Sequence, residues 1–256
     1  MNRFLSKSCI LIFTLTMGIG AFAQDWNGLY VGGTAGGVKG RSNTYTSTVF
    51  SPVGYFAPNS IPAIASAGNQ PLSPRGFSGG GTAGYNFQRN HWVLGLEGDF
   101  GVMHIKDDFS ATAVYPCCSP TTFTVTQTVN SDWLLTVRPR VGFTNGPVLI
   151  YGTAGLAMTN FNYKEDFIDT FATAHESASM SGLQTGLVGG GGVEFKVASR
   201  WSLKGEYLHA DFGSGLKTTS SNLTCCGPPP VPRPNVFTHQ ADLSAHIIRA
   251  GINYHF

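Results

Sequence analysis

Charge is scarce in this chain: only 12% of its 256 residues are Asp, Glu, Lys or Arg, about half the ~25% usual for a soluble globular domain. Neither sign is in excess. Sixteen basic residues face fourteen acidic ones, and removing Arg3 and Lys7 with the leader described below leaves 14 of each. A phosphate-binding surface needs a basic surplus, so nucleic acid is excluded as a partner. Long apolar runs are also missing: beyond the leader none reaches the ~18 residues of a membrane-spanning helix. The seven histidines are scattered and form no HExxH or other metal spacing, so no metal or other cofactor is expected.

What is present begins at the two ends. Arg3 and Lys7 precede an apolar stretch from Cys9 to Phe22, and Ala21-Phe22-Ala23 is a small-residue cleavage site before Gln24. Residues 1–23 read as a secretory signal peptide, too short for a spanning helix, and Cys9 lies inside its apolar stretch rather than at the cleavage point, which argues against a lipoprotein anchor. At the other end, Phe256, Tyr254, Ile252, Ala250 and Ile248 share one face, and His255, Asn253, Gly251 and Arg249 the other. A period of two with an apolar, aromatic-tipped outer face suits a strand standing in lipid. An exported chain without membrane helices has one way to live in a bilayer, which is to close a sheet on itself.

Alternating segments lie near 26–38, 76–88, 91–105, 131–144, 147–162, 181–197, 200–213 and 241–256. In the third, Trp92, Leu94, Leu96, Phe100 and Val102 oppose Glu97 and Asp99; in the fourth, Trp133, Leu135, Val137, Val141 and Phe143 oppose Asp132, Thr136, Arg138 and Arg140. Short turns at Arg89-Asn90, Asn145-Gly146 and Ala198-Ser199 alternate with long polar loops near 39–75, 106–130, 163–180 and 214–240. The expectation for residues 24–256 is all-β: an eight-stranded antiparallel transmembrane up-and-down β-barrel, short turns periplasmic and long loops outside. So narrow a barrel is filled by its own side chains. Its inward positions carry Glu97, Asp99, Arg138, Arg140, Glu194, Lys196, Lys204, Glu206 and Arg249, which read as a salt-bridged plug, the alternative being a charged ion path through a small porin-like channel.

Catalytic patterns are weak. Gly79 to Gly84 satisfies G-x-G-x-x-G but continues into Tyr85-Asn86-Phe87 in strand alternation instead of opening a helix. His209-x-Asp211 and Ser244-x-His246 are the nearest local pairings for a hydrolase, and each also reads as polar groups at a strand's outer end. No catalytic residue is assigned.

With Cys9 removed, Cys117, Cys118, Cys225 and Cys226 are the remaining cysteines, in the second and fourth outer loops. An even count in an oxidising compartment argues for disulfides over a four-cysteine zinc site, whose ligands are usually spaced apart. Three connectivities exist. Closing each vicinal pair needs a small ring, whereas ~10 residues of loop, each extending up to ~3.3 Å, let the two loops meet over the lumen. Cross-loop bridges forming a covalent lid are the expectation. The prolines from Pro228 to Pro234 stiffen the fourth loop as polyproline II.

Trp26-Asn27-Gly28-Leu29-Tyr30-Val31-Gly32, Tyr151-Gly152-Thr153-Ala154-Gly155-Leu156-Ala157, Gly189 to Gly192 with Val193-Glu194-Phe195, and Arg249-Ala250-Gly251-Ile252-Asn253-Tyr254-His255-Phe256 together resemble the small outer-membrane β-barrel proteins of alphaproteobacteria, the porin-like immunogenic surface antigens. The resemblance covers the strands and not the loops. It implies an OmpA-like barrel in the outer membrane of a Gram-negative bacterium, in contact with lipid and lipopolysaccharide, with Tyr254 and Phe256 as the signal read by the barrel insertion machinery. It further implies roles in envelope integrity and surface antigenicity, with loop-based binding of haem or a host molecule in some relatives. The absence of a peptidoglycan-binding domain after the barrel sets the chain apart from OmpA itself.

Overall fold

A computed structural model describes residues 25–213 and 215–256; the leader assigned to residues 1–23 lies outside the described residues. The strands are β1 (Gly28–Thr48), β2 (Asn69–Leu72), β3 (Arg75–Arg89), β4 (Trp92–Val114), β5 (Thr122–Asn145), β6 (Val148–Asp169), β7 (His175–Lys196), β8 (Trp201–Asp211), β9 (Leu216–Ser220), β10 (Thr224–Cys225), β11 (Val231–Pro232), β12 (Phe237–Ala241) and β13 (Ser244–His255). A single 3-10 turn (Pro58–Ser60) leads into a short α-helix, α1 (Ile61–Ala67), between β1 and β2. Eight long strands close a ring in the order β1, β3, β4, β5, β6, β7, β8, β13 and back to β1, every pairing antiparallel. Closure leaves no open edge, the condition for a sheet to cross lipid.

The outer surface explains why these sequences cross lipid. On β4 the outward side chains Trp92, Leu94, Leu96, Phe100 and Val102 are all about half exposed, and His104 and Lys106 follow. Residues 92–102 match the ~9–11 residues a tilted strand needs to span the hydrocarbon. Aromatic rings mark the turn-side edge: Trp92 packs edge-on against Phe143, and Tyr254 against both Trp201 and Phe256. The opposite edge carries Phe100 against Trp133.

Above that edge the strands do not stop. β1, β4, β5, β6 and β7 run on through much of what reads in sequence as loops 39–75, 106–130 and 163–180, and β9 to β12 occupy part of 214–240. The reason is visible in the inward side chains: Ser42, Thr44, Thr46 and Thr48 on β1, and Phe123, Val125, Gln127 and Val129 on β5, keep the period of two where the outward face turns polar and the lipid signal vanishes. A register shift in β5 between Asn130 and Leu134 also turns Asp132 outward beside His104 and Asn160, correcting its inward assignment.

Helix α1 enters the mouth of this extended barrel and buries Ile64. Gly68 ends it where β1 passes so closely that a Cβ would lie 2.2 Å from the Thr46 carbonyl oxygen. Proteinase K applied to intact cells is expected to cut only the irregular tips around 49–57 and 226–236, leaving 106–114 and 122–130 whole. Early cleavage inside those two stretches would show that they are loops and not paired strands.

Candidate functional site

The interior is layered. At the turn end, Trp26, Val93, Leu149 and Tyr151 form an apolar floor. Above it lies a buried ionic layer. Arg138 sits at its centre, reaching Glu97 and Asp99 at 2.8 Å each and Glu206 at 3.1 Å. Arg249 pairs with Asp99 at 2.9 Å and Glu206 at 2.7 Å. Arg140 bridges Glu97 and Glu194 at 3.5 and 3.2 Å, its guanidinium lying over the Tyr30 and Tyr151 rings. Lys204 closes on Glu97 at 2.9 Å. Tyr30 and Tyr151 donate to Glu97 and Glu206, and Asn253 donates to Glu194. Four carboxylates thus meet four cations, as buried charge requires.

Lys196 is not in this layer. It donates to the backbone oxygen of Asp25 and lies 4.8 Å from the centroid of the Trp26 ring, closing the floor. Above the ionic layer Val38, Met103, Leu134, Phe161, Leu208 and Ile247 belong to a second apolar layer.

A second polar layer follows, outside the lipid band. Gln127 donates to Thr46, Gly68 and Tyr163, and beside them Glu165, Glu176 and His239 are all buried. His239 Nδ1 stands 3.8 Å from Glu165 and Nε2 3.6 Å from Glu176. Burial, reinforced by the charge of Glu176 beside it, pushes the Glu165 carboxyl well above its ordinary range. Burial alone would raise Glu176 too, but the neighbouring His239 and the hydroxyl of Ser220, which donates to it, outweigh burial and hold that carboxyl below its ordinary value.

The mouth is capped by an apolar cluster of Phe56, Ile64, Tyr115, Phe123, Phe167, Leu223 and Phe237. Here the cysteines depart from the cross-loop expectation. Cys117 bonds to Cys118 and Cys225 to Cys226, so there is no covalent lid between loops. The Tyr115–Thr121 turn closes through Cys118 N–H to Tyr115 and Thr121 N–H to Cys118, while Cys225 pairs with Val231 and the Cys226 N–H donates to Ala172 in the β6–β7 connection. Packing of the same cluster closes the mouth instead.

The remaining sequence candidates fall apart or into strands. Gly79 to Gly84 lies within β3. Ser244 faces Asp211 across β13 and β8, but His246 accepts from or donates to Tyr207 at 2.7 Å and Asp211 accepts from the Gly213 N–H. No hydrogen bond joins Ser244, His246, His209 and Asp211 into a relay among the described residues. Tyr254 and Phe256 stand in the aromatic edge. Sequence reading missed Tyr30, Tyr151 and Asn253 as partners of the ionic layer, and Glu165, Glu176 and His239 entirely. The available signal was alternation with apolar neighbours, in Tyr163-x-Glu165-x-Phe167 and Phe237-x-His239-x-Ala241.

A family model described as outer membrane protein beta-barrel domain matches residues 9–256. The 31 kDa outer-membrane immunogenic protein of Brucella melitensis is 29% identical over 234 residues, covering 91% of this chain and 84% of that protein. The 22 kDa outer membrane protein of Rhizobium leguminosarum is 32% identical over 139 residues, 54% of each chain. Among solved structures, the outer membrane protein OprG of Pseudomonas aeruginosa aligns with 11% identity and a TM-score of 0.44, covering 91% of this chain and 99% of that one.

Arg138→Met is expected to leave Glu97, Asp99 and Glu206 short of a cation and to lower stability by about 3–5 kcal/mol, read from guanidinium unfolding in detergent micelles. An unchanged midpoint would mean that the layer is hydrated. Digestion without reductant should release the Cys117-Cys118 and Cys225-Cys226 peptides separately; a linked pair of peptides would restore the cross-loop bridges.

Proposed function

Because the chain belongs to the outer membrane protein beta-barrel domain family and is a surface β-barrel protein of a Gram-negative outer membrane, we propose that its work there is structural and non-catalytic. It reinforces the envelope, presents an ordered outer cap, and conducts no solute. The observation that supports this most directly is the filled interior: a four-against-four ionic layer between two apolar layers. Water has little room in an eight-stranded barrel already occupied in this way.

Lipopolysaccharide is the partner that fits the outer face. Just above the apolar band, exposed Lys39, Arg75 and Lys106 stand directly opposite one another on β1, β3 and β4, with His246 of β13 facing Lys39 and Arg41 two residues further along β1. Like charges facing across strands repel. Among the described residues, none of Lys39, Arg41, Arg75 and Lys106 lies within 4.0 Å of a carboxylate, so the row suits an external anion such as the phosphate of a lipid headgroup. Tyr254 and Phe256, on the exposed aromatic edge, are the residues we assign to recognition by the insertion machinery.

Capture of haem or a host molecule by the cap has less support. The groove at the mouth, lined by Tyr55, Phe56, Tyr115, Phe171 and the Cys117-Cys118 pair, holds about 170 Å³, below the ~300–1,000 Å³ of pockets that bury drug-sized ligands.

Planar bilayers containing the pure protein are expected to show no steady conductance; a reproducible open state would overturn the plugged reading. Lys39→Glu together with Arg75→Glu should sharply reduce retention of lipopolysaccharide through purification, while retention of dephosphorylated lipopolysaccharide is weak in both proteins. Equal retention by the variant and the parent would remove the cation row from this role.

A further inference from the structure

Every acid of the lower ionic layer has an Arg or Lys within reach; the upper pair does not. Glu165 on β6 and Glu176 on β7 are diagonal neighbours on the inward face, Glu165 opposite Ala178 and Glu176 opposite Phe167, and they are 3% and 0% exposed. Among the described residues His239 is the one basic group within 4.0 Å of either. Both carboxylate oxygens of Glu165 and Oε2 of Glu176 are buried without any hydrogen-bond partner. Polar atoms sealed from water without a partner are costly, and their orphaning calls for an explanation.

One donor atom from each of Glu165, Glu176 and His239 can be chosen so that all lie within 4.8 Å of one another. Two donors each ~2.1 Å from a shared tetrahedral ion stand about 3.4 Å apart. His239 presents Nδ1 to Glu165 and Nε2 to Glu176, at 3.8 and 3.6 Å. A set with one donor from each residue therefore spans up to 4.8 Å and must close by about an ångström, through side-chain rotation, to share one ion. We propose that Glu165, Glu176 and His239 form a buried binding site for one divalent transition-metal ion, Zn²⁺ being the natural occupant. Two carboxylates and a neutral imidazole balance a double positive charge, as the four bases below balance four acids. The nitrogen donor favours zinc over magnesium and calcium, which prefer all-oxygen shells.

The surroundings fit a coordination sphere. Thr46 Oγ1 lies 3.1 Å from His239 Nδ1 and Ser220 Oγ 2.9 Å from Nε2, so whichever nitrogen binds the ion, a hydroxyl orients the other. Ser220 also donates to Glu176. The ligands come from β6, β7 and β12, and the strands that carry them include two that continue through the membrane. An ion held here ties the cap to the barrel.

The test uses the full mature chain refolded in detergent micelles with and without Zn²⁺, freed of loose ion by gel filtration, and assayed for metal content and for the temperature at which its compact gel mobility is lost. The wild type is expected to retain one zinc per chain and to resist heating better when loaded. Glu165→Gln with His239→Gln should weaken zinc binding by at least about tenfold, the loss that even outer-shell changes cause, and should abolish the thermal shift. Glu165→Gln alone, isosteric and neutral, serves if the double variant does not fold. Removing the outward-facing pair on β8 and β13 with His209→Gln and His246→Gln should leave the bound zinc in place. A folded wild type that retains no zinc overturns the site, and so does undiminished zinc in the Glu165→Gln variants.

Discussion

The buried guanidinium of Arg138 is the contact on which the barrel interior depends. It joins two carboxylates of β4 to one of β8, and Arg249, Arg140 and Lys204 extend the same lattice to β13 and β7. With Tyr30, Tyr151 and Asn86 as hydrogen-bonding partners, all eight barrel strands supply a side chain. A closed sheet in lipid gains nothing from exposing its outer apolar side chains to hydrocarbon as opposed to a partner helix, so uniqueness must come from inside. Paired charges supply it, because a one-residue slip of any strand would turn its charges toward lipid.

Layering follows from the same constraint. Ionic groups at one level need apolar layers on either side to exclude water, and Trp26 with Lys196 below and Met103 with Phe161 above provide them. Outside the bilayer the design repeats with weaker means. Thr44, Thr46, Gln127 and Tyr163 form a neutral hydrogen-bonded layer, capped by phenylalanines, and the two glutamates within it lack the guanidinium partners used below. The cap is therefore a continuation of the barrel and not a set of loops resting on it.

How an ordered cap serves a surface protein is a matter of entropy. An outward-facing segment held in paired strands presents one conformation, and its disulfides close small rings within the segments at the mouth instead of spanning it. The cation row on β1, β3 and β4 lies at the base of this cap, where the lipid headgroups begin. Its like charges sit side by side, Lys39 opposite Arg75 and Arg75 opposite Lys106.

Much was legible in the sequence where two signals coincided. The lipid face and the lumen face of the eight spans, the three short turns and the inward positions of Glu97, Asp99, Arg138, Arg140, Glu194, Lys204, Glu206 and Arg249 all follow from a period of two read against lipid. Beyond the bilayer the outward face is as polar as the inward one, so alternation loses its contrast and the strand extensions read as loops. Asp132 was misassigned because a bulge adds a residue without leaving a mark in composition. Which acid meets which base, the exclusion of Lys196 from the ionic layer, the vicinal closure of each cysteine pair and the meeting of Glu165, Glu176 and His239 were decided by tertiary structure alone. These contacts join residues up to 150 positions apart, and their pairing depends on the stagger of strands around the closed ring, a quantity set by the whole sheet and carried by no single segment.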